Sequence, residues 1–279
     1  IGEQPDLTYG YEYLGAGPAS LTGLSKSKGD FLKALKDAKS PAIILGSGAL
    51  ARADGAAVAK AAAAIAKTYK MTWNLLHSAA ARVGGLDLGF IPAEGGKTAA
   101  EMVKPGALDV LFLLGADEIG LTGSDAFTVY LGTHGDAGAH RADVVLPGAA
   151  YTEKDGLYVN TEGRVQMGQR AVFPKGEARE DWSILRALSD RLGKTLPYDT
   201  LAQLRAKLFA DHPTFGQIDY VAGPVDFDLA AVGGEGAVSD QAFESPIKAF
   251  HLTNPIARAS VTMAECAAQV SGAAKIAAE

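Results

Sequence analysis

Short apolar runs alternate with segments of helical periodicity over the first half of the chain. Most of these runs are bounded by Gly, Pro or Asp, which is typical of buried β-strands. The predicted strands are 42–45, 71–74, 108–114, 126–131 and 143–146. Predicted helices lie at 30–39, at 54–67 with Asp54 as its cap, and at 75–83. Because such alternation produces sheets covered by helices, we predict an α/β fold with a mostly parallel sheet and helices on both faces.

The pattern changes after Pro147. Alternating residues from Tyr151 to Val172 predict a hairpin with polar turns, and two amphipathic helices are predicted at 179–192 and 201–209. Asn254 followed by Pro255 predicts a capped last helix that runs to about Val270. We therefore divide the chain into an irregular lead-in (1–29), an α/β domain (30–211), an irregular segment (212–249) and a C-terminal tail helix (250–279).

Charge and cysteine content exclude several classes of partner and of redox chemistry. The chain has 279 residues, of which 48% are hydrophobic, and a formal net charge of −6. It has no basic stripe, so we expect no nucleic acid partner. The single cysteine, Cys266, excludes an internal disulfide, a CxxC redox pair and a cluster held by four cysteines of this chain. Since no apolar run is long enough to span a bilayer, we expect no direct membrane insertion.

A glycine-rich turn follows the first predicted strand. Gly46 and Gly48 stand where dinucleotide-binding folds place the glycines that let the backbone approach a pyrophosphate. Ala51 replaces the third glycine, and the region 71–75 offers no acidic residue for a ribose. We therefore interpret the turn as a plain strand-to-helix connection, with a free-standing nucleotide-binding module as a competing hypothesis.

Polar side chains also follow later predicted strands. Asp117 and Glu118 come after the strand that ends near Gly115, and His134 and His140 flank a loop after the next strand. Ligands of open α/β sheets usually bind at these strand ends. Paired acids there can bind a metal or a ribose, although they more often cap the next segment. No histidine pairs with another residue at metal-ligand helix spacing, so we predict no metal site.

The stretch 142–166 is the most unusual of the chain. Two alternating arms flank a turn at which Asn160, Glu162 and Arg164 cluster donors and acceptors. These residues can cradle an anionic cofactor, or they can satisfy the turn itself. Their spacing leaves both interpretations open.

This stretch resembles the molybdopterin oxidoreductases of the formate dehydrogenase type. In that family a strand like ADVVLP (142–147) leads to a hairpin like NTEGRVQ (160–166). PKGEAR at 174–179 and DWSIL at 181–185 are similar to the family's next element, a Pro-Gly turn that enters a helix. The resemblance implies a formate dehydrogenase-like domain, in which any cofactor-binding residues would be vestigial: Asn160, Glu162 and Arg164.

Two further segments are similar to the family of the large iron–sulfur (G) subunit of respiratory complex I, the NADH:quinone oxidoreductase. They are DLTYGYEYLG at 6–15 and FHLTNPIARASVTMAEC at 250–266, and the segments 47–55, 86–89 and 111–117 fit the same family. In that subunit, N-terminal cysteine motifs hold the iron–sulfur clusters, and this chain has none of those motifs. We therefore expect a C-terminal, molybdopterin-oxidoreductase-like fragment, with the clusters in the missing N-terminal part of the subunit.

The resemblance implies a structural domain with no catalytic residue, no metal and no cofactor of its own. Such a domain would support electron transfer from NADH to quinone, coupled to proton pumping, in the parent enzyme. Its implied partners are other peripheral-arm subunits of complex I. Its implied location is peripheral, at the cytoplasmic face of the bacterial inner membrane or the matrix side of the mitochondrial inner membrane.

Departures from the molybdenum enzymes favour this structural interpretation. Gly115-Ala-Asp117 stands where those enzymes tend to have a Gly-x-Asn-Pro nucleotide-binding turn. About seventy residues follow Leu208, too few for their C-terminal barrel plus the tail. The competing hypothesis is a cofactor-binding fragment of an active molybdopterin oxidoreductase. For the predicted last helix, Asn254–Val270, docking to a neighbouring subunit and packing on its own sheet both stay open.

Overall fold

The computed structural model describes residues 1–24, 29–80, 82–221, 223 and 227–271, which form two compact units. The first unit comprises the described residues of Ile1–Val83, Thr161–Gly163 and Val221–Lys248, and the second those of Gly84–Asn160, Arg164–Tyr220 and Ala249–Glu279. The predicted irregular segment 212–249 is divided between the units, and the four predicted segments stay a prediction. No helix among the described residues has both the length and the apolar character that a bilayer crossing requires.

The first unit is built on a two-stranded parallel sheet. Its elements are α1 (Pro18–Gly23), α2 (Asp30–Asp37), β1 (Ala42–Gly46), α3 (Ser47–Leu50), α4 (Gly55–Tyr69) and β2 (Thr72–Leu76). The register of β1 and β2 runs from Ala42 opposite Thr72 to Gly46 opposite Leu76. Val58 and Ala62 of α4 are fully buried and pack with Leu45 of β1. The small side chains of this alanine-rich helix let it lie close to the strands, which fixes the turn between β1 and α3.

The second unit contains a three-stranded parallel sheet and a hairpin. Its elements, after α5 (Arg82–Asp87), are α6 (Ala99–Met102), β3 (Val110–Leu114), β4 (Phe127–Gly132), α7 (Ala137–His140), β5 (Val144–Pro147), β6 (Gly156–Val159), β7 (Val165–Gly168), α8 (Asp181–Arg191), α9 (Leu201–Asp211), α10 (Pro255–Arg258) and α11 (Val261–Val270). The strand order is β3-β4-β5, and β6 pairs with β7 antiparallel. Because β3, β4 and β5 are all parallel, their carboxyl ends lie at one edge of the sheet.

The predicted α/β class is confirmed: parallel strands alternate with helices, and a hairpin and C-terminal helices follow. The parallel strands divide between two sheets, one in each unit. The start of the predicted helix 75–83 is wrong, because Leu75 and Leu76 extend β2 by pairing with Leu45 and Gly46. The helix instead begins at Arg82.

The predicted last helix begins as expected and is then interrupted. Asn254 Oδ1 accepts a hydrogen bond from Ala257 N at 3.0 Å, and Pro255 lies in the first turn. However, α10 ends at Arg258, and the Ser260 side chain accepts from Met263 N and thereby starts α11. The cap at Ser260 therefore divides the single helix that the periodicity predicts into α10 and α11. The last residues of the predicted tail, 272–279, lie outside the described residues.

Candidate functional site

Three carboxylates follow β3 and β4 at the carboxyl edge of the second unit's sheet, and we call them the acidic edge (Asp117, Glu118 and Asp136). Asp117 is 5% exposed. Its oxygens accept from the Tyr130 hydroxyl at 3.1 Å and from the Gly138 amide at 3.2 Å. Burial, with Asp117 as its hydrogen-bond partner, raises the pKa of Tyr130, so this phenol stays protonated as a donor. Asp117 therefore holds β4 and α7 together.

Arg258, the last residue of α10, reaches the other two acids. Its Nε donates to Asp136 Oδ2, and its Nη2 lies 3.2 Å from Glu118 Oε1. Its Nη1 also donates to the Leu252 carbonyl at 3.3 Å. The Arg258 and Asp136 side chains are 23% and 22% exposed, whereas that of Glu118 is 71% exposed, so water screens the Asp136 pair less. A C-terminal residue thus supplies positive charge at an edge where α/β sheets usually bind ligands.

Asp136 has two roles at this edge. Besides its pair with Arg258, its Oδ1 accepts from Ala137 N at 2.8 Å and so caps α7. Burial acts to raise the pKa of Asp136, but the Arg258 guanidinium and the Ala137 amide outweigh burial and leave that pKa below its ordinary value. The carboxylate therefore stays ionised at neutral pH and binds the tail segment.

Replacing Tyr130 with Phe should lower the free energy of unfolding of the second unit by about 0.5–1.5 kcal/mol, because Asp117 loses one donor in a buried setting. Urea unfolding followed by Trp182 fluorescence on α8, with Trp73 replaced by Phe, measures the second unit. Tyr151→Phe is the control, since Tyr151 is 64% exposed. Equal stability of the two variants would contradict a structural role for the Tyr130–Asp117 bond.

The glycine-rich turn of the first unit is covered by the chain's own C-terminal region. A Cβ built on Gly48 would lie 2.8 Å from Pro246 Cδ and 3.4 Å from the Glu244 carbonyl oxygen. These residues belong to a strap, residues 239–248, that runs over the start of α3. The strap therefore occupies the space on the Cβ side of Gly48, where it hinders the close approach that a dinucleotide fold gives its pyrophosphate.

Arg52 holds this strap in place. Its guanidinium donates to the Gln241 and Ala242 carbonyls at 3.1 and 2.9 Å, and its carbon Cζ lies 5.1 Å from the Phe243 ring centroid. Asp54 pairs with Arg52 at 2.8 Å and accepts from Ser239 N at 2.7 Å. The sequence pattern predicts Asp54 as the cap of α4, but its side chain does not cap that helix; it is bound to Arg52 and the strap.

The Arg52–Asp54 pair should give the first unit a pH dependence in acid. Hydrogen bonds from Arg52, then from the Ser239 amide, lower the pKa of Asp54 from 3.8 to about 2. Because the pKa of Asp54 is lower in the folded protein than in the unfolded chain, its ionised form stabilises the fold at pH values above the unfolded pKa. That stability is lost as the pH falls from about 3.8 through about 2. Trp73 fluorescence in a Trp182→Phe background measures the thermal midpoint of this unit. We expect the gap between the parent and Asp54→Asn to be constant from about pH 7 to 5 and to close below about pH 4. A gap that persists at about pH 2 would contradict this assignment.

The predicted vestigial residues lie at the turn between β6 and β7. Asn160 Oδ1 accepts from Arg164 N at 3.0 Å, and Asn160 N donates to the Arg164 carbonyl at 3.0 Å. The Arg164 guanidinium donates to the Asp219 carbonyl at 2.6 Å. Glu162 lies between them in the chain, in the exposed part of the turn. The structure thus joins Asn160 to Arg164, and those contacts serve the turn.

The remaining candidates occupy ordinary positions. His134 is exposed and its Nδ1 lies 2.7 Å from Thr133 Oγ1, and His140 ends α7. Cys266 is half-buried on α11. Among the described residues, no three His, Cys, Asp or Glu side chains are placed to hold a metal ion.

Two residues of these sites carry no local sequence signal of their role. Arg52 and Arg258 act on partners 189 and 122 positions away along the chain. The one available signal for Arg258 was its place in the tail segment 250–266, and for Arg52 its place in the segment 47–55, both singled out by resemblance.

Comparison with known proteins shows the family to which the chain belongs. Residues 1–191 match the family model described as molybdopterin oxidoreductase. The chain belongs to this family. Residues 217–266 match a second family, described as the C-terminal part of the G subunit of NADH-ubiquinone oxidoreductase. The strap and α10, which cover the two candidate ligand edges of this molybdopterin oxidoreductase family member, both fall within that second match.

Its curated relatives are subunits of one enzyme. The chain is 42% identical over 285 residues to the mitochondrial NADH-ubiquinone oxidoreductase 78 kDa subunit of Neurospora crassa, covering 96% of this chain and 37% of the relative. It is 38% identical over 275 residues to the 75 kDa subunit of Reclinomonas americana, covering 95% and 39%. It is 39% identical over 277 residues to the mitochondrial NADH dehydrogenase [ubiquinone] iron-sulfur protein 1 of Solanum tuberosum, covering 96% and 36%. The chain thus spans under two fifths of each relative, and the resemblance to the complex I subunit is confirmed.

Proposed function

We propose that this chain is a structural domain of the large iron–sulfur (G) subunit of respiratory complex I, with no redox centre of its own. Catalysis then belongs to the parent NADH:quinone oxidoreductase, in which electron transfer is coupled to proton pumping. The iron–sulfur clusters lie in the rest of the subunit. The partners are other peripheral-arm subunits, and the location is peripheral, on the cytoplasmic or matrix side of the inner membrane. The names of the curated relatives, which are subunits of NADH-ubiquinone oxidoreductase, support the assignment to this enzyme.

One observation supports the structural part of the proposal: side chains of this chain bond to one another at the sheet edge where α/β proteins usually bind ligands. Asp117 accepts from Tyr130 and Gly138, and Asp136 pairs with Arg258 from the tail. An anionic pterin cofactor placed at this edge would face three carboxylates and would compete with them for Arg258. The residues at this edge therefore do not fit such a cofactor, and we derive no reaction step through it. The cover of Gly48 by Pro246 supports the same conclusion for the first unit.

Mutation of the complete subunit tests this function. Arg258→Ala should reduce the amount of assembled complex, since it frees the tail from the acidic edge. NADH-to-quinone turnover per assembled complex should stay within about twofold of the parent, because no reacting group is removed. Arg191→Ala, at the exposed end of α8, is the matched control for loss of an arginine. A turnover per complex that falls by about tenfold or more, with assembly unchanged, would contradict a purely structural role.

The competing function, a working molybdopterin site at the polar turn, makes the opposite prediction for Arg164. If this arginine binds a cofactor, Arg164→Gln should remove that cofactor and its activity from an otherwise assembled protein. In the structural proposal, the same variant loses contacts that hold the turn, such as the one with the Asp219 carbonyl, and turnover does not depend on them. Retained turnover in Arg164→Gln therefore supports the structural role.

A further inference from the structure

One edge of the first unit's sheet lies without a neighbouring strand among the described residues, where β2 is the one strand paired with β1. Thr72 N donates to the Pro41 carbonyl at 2.9 Å, which fixes the phase of the parallel ladder. In such a ladder, alternate residues bond to the same neighbour. Ile43 and Leu45 therefore face β2 with their backbone groups. The N–H groups of Ala42, Ile44 and Gly46 and the C=O groups of Ala42 and Ile44 point to the other edge, whereas the Gly46 carbonyl begins α3.

A cavity of about 450 Å³ follows that second edge. All five residues of β1 line it, and none of Thr72–Leu76 in β2 does. Ile43 and Leu45 lie toward α4, whereas Ile44 lies on the opposite face and is 65% exposed. The cavity therefore wraps around the edge of the strand and is more than a pocket on one face. Its other walls are largely apolar, and include Leu21, Phe31, Leu35, Ile65, Phe243 and Pro246.

We propose that this cavity receives a third β-strand, which pairs with β1 through the backbone groups of Ala42, Ile44 and Gly46. A row of backbone donors and acceptors beside apolar walls suits an extended polypeptide with apolar side chains, the mode of recognition known as strand addition. Five residues of strand span about 17 Å, the length of β1. Parallel sheets are normally covered and many-stranded, so a two-stranded one with an exposed isoleucine is incomplete.

The strand comes from the remainder of the subunit. The relatives contain more than twice the polypeptide that this chain spans, since the chain covers 36–39% of their lengths. The inference rests on the proposed place of the chain in a longer subunit, and it is independent of whether a pterin is present. Cofactor content and strand pairing are measured separately, so the failure of one is distinguishable from the failure of the other.

Amide hydrogen exchange tests the pairing residue by residue. We expect the amides of Ile44 and Gly46 to exchange on the order of 100-fold more slowly in the complete subunit than in this chain by itself. Ile43 and Leu45 are internal controls, because their bonds to β2 protect them in both samples. Equal rates for Ile44 in both samples would overturn the proposal. Protection of Ile44 in this chain that rises with concentration, together with a dimer mass, would also overturn it in favour of a second copy.

Proline substitution gives an independent measurement. Ile44→Pro removes a donor from the open edge and leaves the β1–β2 ladder intact, whereas Ile44→Ala keeps the donor and loses the same exposed side chain. In the complete subunit, we expect Ile44→Pro to lower the yield of assembled protein by about tenfold relative to Ile44→Ala. Trp73 fluorescence of the two variants in this chain by itself should be alike. Equal yields from the two variants would overturn the proposal.

Discussion

Replacing Arg258 with Ala lowers the free energy of unfolding of the second unit by about 1.5–3 kcal/mol, the range for a hydrogen bond to a charged group. The side chain contacts Asp136, Glu118 and the Leu252 carbonyl together. Most of the loss should come from Asp136, since the exposed Glu118 is screened by water. Trp182 fluorescence in the Trp73→Phe background measures the effect in urea.

A double-mutant cycle separates the pair from the rest of the side chain. Asp136→Asn keeps an oxygen that can cap α7 and removes the charge that Arg258 meets. The coupling between Arg258→Ala and Asp136→Asn should be about 1 kcal/mol or more, as for contacting residues. Arg258→Lys should recover part of the stability, because lysine keeps the charge without the planar fork. Strict additivity of the two substitutions would contradict a direct pair.

Replacing Gly138 with Ala lowers the free energy of unfolding of the same unit by about 1–3 kcal/mol, the cost of an added methyl group in a packed site. The new Cβ would lie 2.7 Å from two ring carbons of Tyr130 and 3.0 Å from Asp117 Oδ1. Tyr130 is 1% exposed and cannot turn into solvent, so either the ring or α7 must shift. The shift would lengthen the hydrogen bond between Tyr130 and Asp117.

Gly85→Ala is the matched control for this glycine. Gly85 lies in α5, and its added Cβ would meet no heavy atom within 4 Å. Because alanine is the better helix former, this variant should be neutral or more stable by up to about 1 kcal/mol. Equal effects of the two alanine substitutions would show that close packing at Gly138 does not contribute to the stability of the second unit.

Local patterns were enough to predict the parallel strands and the fold class. Apolar runs such as 108–114 became parallel strands, and the capping side chain of Asn254 acts as its spacing predicted. These features depend on residues a few positions apart, where periodicity and capping chemistry are visible in the sequence. The start of the helix predicted at 75–83 was wrong because pairing with Leu45 and Gly46 outweighed the local preference of Leu75 and Leu76.

The contacts of the candidate site could not be predicted, because they join residues that lie far apart in the sequence. The sequence placed Asp117 and Glu118 at a strand end, but it could not place Arg258 beside them. Similarly, Asp54 has the spacing of a helix cap, yet Arg52 and Ser239 bind it instead. A charged hydrogen bond to a distant partner outweighs one cap, so the local rule fails where the tail folds back. The family resemblance pointed to the segments 47–55 and 250–266, but it did not predict which residues they contact.

Cofactor analysis of the purified parent assembly, with this subunit intact, tests the central claim most directly. Molybdenum, tungsten and pterin would be measured per copy of the subunit, beside the rate of NADH oxidation. The proposed structural role predicts that none of the three is present in stoichiometric amount in an assembly that oxidises NADH. A near-stoichiometric pterin with its metal would contradict that role and would favour Asn160, Glu162 and Arg164 as working ligands.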